Sequence, residues 1–81
     1  MIDLAERNAF ADFLDRLAAE PFNPDDWFRH VVNHYQDEVL EEFRRNCARL
    51  AFYVGERFPD TDEHRAQLHA WADELRSVQA A

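Results

Sequence analysis

The sequence predicts an all-α fold: one helical domain over residues 1–81, built from three amphipathic helices with an unusually long middle one. Three observations carry this. Apolar residues recur at three- and four-residue steps through most of the chain. A single glycine and three prolines cut it into three pieces, at Pro21 to Pro24 and Phe58 to Asp60. Each piece opens on a helix-start signal: Asp3 with Glu6, Asn23 followed by Pro24 and Asp26, and Asp60 with Glu63. The 47% hydrophobic and 14% aromatic content supplies a core that a disordered chain lacks.

The first helix is expected at about residues 3–20, where Phe10, Phe13, Leu14 and Leu17 share a face that Asp12, Asp15 and Arg16 avoid. The last is expected at about 61–79, where His64, Leu68, Trp71, Leu75 and Val78 form a narrow seam suited to near-parallel packing. Between them, Phe28, Val32, Tyr35, Val39, Phe43, Cys47, Leu50, Val54 and Phe58 continue one stripe with no proline inside it, which predicts a single helix over about 24–57. Roughly 34 residues at about 1.5 Å each reach about 51 Å, twice the span of either neighbour. The run Leu50 to Val54 is apolar on every side and needs cover from more than one direction. Gly55 offers an early stop, and a break near Arg44 to Asn46 would instead give a compact three-helix monomer.

A chain of 81 residues has little core to offset its conformational entropy. Its one cysteine, Cys47, excludes an internal disulfide and reads as a small packed residue. The expected closure is a two-fold homodimeric helical bundle that buries Phe28, Tyr35, Val39, Phe43, Leu50 and Val54 between copies. Asn46 stands at the stripe's edge, where an amide can set register. Trp27 and Trp71 are candidate anchors.

The 9 basic residues, all arginine, against 17 acidic ones leave a net charge of −8. That field repels phosphate backbones and anionic lipid, so direct binding to nucleic acid or to a membrane surface is not expected. Without a signal-like or spanning apolar run, the expected location is cytoplasmic. Asp37, Glu38, Glu41 and Glu42 cluster mid-helix and form a candidate acidic face toward a basic partner.

Chemistry finds little purchase. His30, His34 and Glu38 have the spacing of a divalent-metal face, yet the residue after His30 is Val31, so the hydrolytic zinc helix pattern is absent. No Glu precedes a His by three positions, as di-iron bundles require. Ser77 is the sole serine and Gly55 stands alone, which leaves neither a nucleophilic triad nor a phosphate cradle. The expectation is a non-enzymatic interaction module, without cofactor or metal, that self-associates through the middle stripe. The alternative is a small acidic inhibitor, of the nucleic-acid-mimic, antitoxin or phage anti-restriction and anti-CRISPR kind, that blocks a basic surface of a nucleic-acid-processing protein.

Overall fold

A computed structural model describes residues 4–32, 34–55, 58 and 61–80, with backbone alone at 78–80. The described residues are all-α and contain no strand: α1 is Leu4–Ala19, α2 is Pro24–Trp27, α3 is Glu38–Val54 and α4 is Asp62–Ala80. A π-helical turn, Phe28–Val32, continues α2. Asp3 and Asp60, two of the expected helix-start residues, and Arg57, the expected end of the middle helix, lie outside the described residues.

The first and last helices follow their periodicity. Phe10, Phe13, Leu14 and Leu17 are buried in α1, and Leu68 and Leu75 are buried in α4. The two helices run antiparallel along each other. Arg65 Nη1 donates to the Ala18 carbonyl at 2.8 Å, while Arg76 reaches back to Asp12 and Asp15, both at 2.7 Å. Arg65 thereby satisfies a carbonyl that the end of α1 leaves open. Thr61 Oγ1 accepts from the His64 amide at 3.2 Å and caps α4.

The middle segment departs from the expected single helix. Asn23 caps α2 as its sequence implies, accepting from the Asp25 and Asp26 amides, with Pro24 at the first helical position. The helix then stops after Val32, and a new one starts at Glu38 with Asp37 as its cap. The Asp37 carboxylate accepts from the Val39 amide at 3.1 Å and the Leu40 amide at 3.4 Å. The same carboxylate receives Arg7 of α1 in a two-pronged pair, Nε to Oδ2 at 2.5 Å and Nη2 to Oδ1 at 2.8 Å. Both side chains are 4% exposed. The break therefore lies before Asp37 and not near Arg44 to Asn46. The molecule measures 35 Å at its longest, well short of the roughly 51 Å an unbroken middle helix would need.

Breaking the stripe lets one chain enclose a core. Leu40, Phe43 and Cys47 of α3 join Phe10, Phe13, Leu14, Leu68, Ala72 and Leu75 in a single buried cluster. The π turn and the connection after it cover one end: His30 stacks on Phe13 with centroids 4.8 Å apart, and Tyr35 meets Phe10 edge-on at 5.9 Å. Gly55 ends α3 at φ +86°, a backbone state that favours glycine. Beyond it Phe58 folds in against Trp27 at 5.8 Å.

Because Arg7 and Asp37 are buried together, losing one leaves the other charged and unpaired. Asp37→Ala is expected to cost about 3–5 kcal/mol, with loss of the α3 cap included in that cost. The double variant Arg7→Leu with Asp37→Ser keeps a capping hydroxyl and strands no charge, so it should be more stable than Asp37→Ala alone. Urea denaturation of the three proteins measures this, and a double variant no more stable than Asp37→Ala would contradict the pairing.

Candidate functional site

On α3 the residues Val39, Phe43, Asn46 and Leu50 step by four, three and four, so they line one flank of the helix. That flank faces Trp71 and Glu74 of α4 across a depression of about 260 Å³, lined by Val39, Glu42, Phe43, Asn46, Trp71 and Glu74. Phe43 forms the floor, with Val39 and the half-buried Trp71 rising on either side. The walls carry one carboxylate each, Glu42 on α3 and Glu74 on α4. Neither has an ion-pair partner among the described residues.

The expected interface residues do not stay together. Val39, Phe43 and Leu50 line the groove flank of α3, although Phe43 is only 9% exposed and belongs to the core. Phe28 lies on the π turn and is 66% exposed. Tyr35 is half-buried, its hydroxyl donating to the His30 carbonyl at 3.1 Å. Val54 packs on the core at the end of α3. Phe52 and Tyr53, which periodicity did not single out, are 91% and 89% exposed. Their signal was the run from Leu50 to Val54, apolar on every side and so unable to turn wholly inward.

The expected acidic face is divided as well. Glu38 and Glu42 point to solvent, whereas Asp37 and Glu41 are buried. Asp37 is engaged by Arg7. Glu41 accepts from Arg44, from the Tyr35 amide at 2.8 Å, and lies 3.0 Å from His34 Nδ1. Arg44 also donates to the Val31 carbonyl at 2.9 Å, satisfying a group exposed where the π turn ends. The carboxylates of Asp37 and Glu41 hold the connection between the π turn and α3 in place, and Glu38 and Glu42 alone of the four are presented to solvent.

The arginines show a matching pattern. Arg7, Arg16, Arg44 and Arg76 each pair with a carboxylate of this chain, and Arg65 holds a carbonyl. These five of the nine arginines are thus engaged within the chain, Arg7 and Arg44 in largely buried pairs and Arg16 and Arg76 in partly exposed ones.

His30 and His34 do not converge. His30 is packed between Phe10 and Phe13 with Nε2 3.6 Å from Asp26, while His34 is 82% exposed and turned toward Glu41. Among the described residues, no three His, Cys, Asp or Glu side chains group to hold a metal ion. Burial pushes the Cys47 thiol up to about 12, so it stays protonated at neutral pH and lacks a thiolate's reactivity. Two further hollows flank the connection. One is lined by Glu6, Ala9, Arg29, His30, His34 and Tyr35, the other by Tyr35, Gln36, Glu38, Glu41, Glu42 and Arg45. Their histidines and Glu41 are the groups whose contacts are described above.

Among the described residues, no helix is long and apolar enough to cross a membrane. Comparison with protein-family models, curated proteins and solved structures finds no match in any of the three.

The ion pairs set a pH dependence. The hydrogen bonds from Arg44 pull the Glu41 carboxyl down to about 2, against the opposing effect of burial. Asp37 is lowered in the same direction by Arg7, and Asp26 by Arg16. Burial lowers His30 below its usual value. In each case the folded state holds its proton less tightly than the unfolded chain. The stability these groups contribute is present above their unfolded values and is lost as pH falls through the folded ones. Thermal stability is expected to decline from about pH 6.5 as His30 is forced to charge, and more steeply from about pH 4.5 toward pH 2 as the carboxylates protonate. Glu41→Gln should flatten the lower part of the profile in a melting series, and an unchanged slope would contradict the role given to Glu41.

Proposed function

We propose that this chain is a non-enzymatic protein-interaction module, with the groove between α3 and α4 and the adjoining Leu50 to Tyr53 end of α3 as its docking surface. The observation that carries this reading is the groove itself: an apolar floor beside a half-exposed tryptophan, with a carboxylate on each wall that has no ion-pair partner among the described residues. Tryptophan is enriched among the residues that dominate binding energy, and apolar floors with polar rims are the usual anatomy of protein interfaces.

The partner this surface suits is basic. With net charge −8, the chain presents a negative field that speeds encounter with a positive surface and repels its own kind. Occupying a basic partner surface is the role of an acidic inhibitor, and nucleic-acid-processing proteins are rich in such surfaces.

Self-association through Phe28, Tyr35, Val39, Phe43, Leu50 and Val54 is the second reading, and Phe52 and Tyr53, both nearly fully exposed, favour it. Two features weigh against it. The stripe that called for a second copy is interrupted between Val32 and Glu38. A two-fold contact centred on the groove would also set Glu42 and Glu74 against their own copies, and like charges in apposition are costly.

A photo-crosslinking amino acid at Val39, compared with one at the exposed Ala66 on α4, tests the docking surface in cells. The expected result is adducts from position 39 alone, identified by mass spectrometry as basic proteins. Equal adducts from both positions would contradict the reading, and adducts only to a second copy of this chain would replace it with self-association.

A further inference from the structure

We infer that the occupant of the α3–α4 groove is one face of a basic amphipathic helix, with an apolar side chain set against Trp71 and Val39 and arginine or lysine heads directed at Glu42 and Glu74. This rests on the reading of the groove as a docking surface and adds the chemistry and shape of what docks.

The shape follows from how the groove is built. It lies between two helices, and its α3 side from Val39 to Asn46 spans about two turns, close to 10 Å. Apolar residues at i, i+3 or i+4 and i+7 of an incoming helix cover that distance, the usual mode of helix-in-groove recognition.

The chemistry follows from the walls. Glu42 and Glu74 stand on opposite sides of an apolar floor, and no basic residue of this chain is among those lining the groove. An apolar helix with neutral flanks would crowd both carboxylates without compensating them, which costs binding energy. Arginine and lysine solve this, because their aliphatic stems lie along apolar surface while their charged ends stay at the rim. Trp71 adds an aromatic face for a cation held above it. Asn46 supplies a neutral amide on the α3 side, a hydrogen-bonding group that fixes register without adding charge.

The test is selection from a displayed library of helical peptides that carry apolar residues at i, i+3 or i+4 and i+7 and any residue elsewhere. Against the unaltered protein, the expected result is enrichment of arginine and lysine beside the apolar positions. Affinity should fall about tenfold or more between about 0.1 M and about 1 M salt, where the screening length shortens from about 10 Å to about 3 Å. Glu42→Gln with Glu74→Gln should sharply weaken the basic bias and the salt dependence while apolar peptides still bind. Both substitutions are on the surface, and an unchanged circular dichroism melt confirms that the fold is intact.

Three outcomes overturn the inference. Enrichment without basic bias leaves a docking groove whose occupant is not cationic. Equal recovery from the unaltered protein and from Val39→Arg removes the docking surface itself. A dimer by light scattering that Asn46→Arg dissociates, with no peptide enriched, makes the occupant a second copy of this chain.

Discussion

The carboxylate of Asp37 decides the architecture. It accepts two amides at the start of α3 and at the same time receives both prongs of the Arg7 guanidinium from α1. A helix running unbroken through this position would use those amides in its own ladder, and Asp37 would point outward like its acidic neighbours. Turned inward, it restarts the helix and pins the new start to α1. A buried ion pair of this kind contributes little net stability compared with apolar packing, but it penalises every arrangement in which one partner is buried alone. Its contribution here is to choose one chain path over another.

The neighbouring network makes that path affordable to the backbone. Glu41 takes the Tyr35 amide and is held by Arg44, which in turn reaches the Val31 carbonyl left open by the π turn. The Tyr35 amide and the Val31 carbonyl, both freed by the break, thus find side-chain partners on α3, as buried backbone must. With the middle segment folded in two, α3 lies near α4 on a different line from α2, and the flank bearing Val39, Phe43 and Asn46 meets Trp71. The groove is a product of the break.

Much of this was written in local pattern. The seams of α1 and α4, the cap at Asn23 with Pro24, and the helix stop at Gly55 each depend on residues close in sequence, where periodicity and capping rules operate. The break was not, because the apolar period runs across it with no proline or glycine between Val32 and Glu38, and Asp37 stands in a run of acids typical of a solvated surface. What distinguishes it is Arg7, thirty positions away, and a single sequence carries no mark of that pairing. The candidate site was half legible for the same reason. Val39, Phe43, Asn46 and Trp71 were picked out by their spacing and type, but that they line one groove, with Glu74 as its second wall, depends on how α3 and α4 meet.

The central claim is that the middle of the chain is two helices joined at Asp37. Backbone carbon chemical shifts across residues 28–43, recorded with amide hydrogen exchange, test it directly. The account predicts helical shifts to Val32, extended shifts at Asp37 where the backbone has φ −71° and ψ 114°, and helical shifts again from Glu38, with the Leu40 amide slow to exchange. Unbroken helical shifts from Phe28 to Phe43 would contradict it, restoring the long stripe and with it the need for a second copy to cover it.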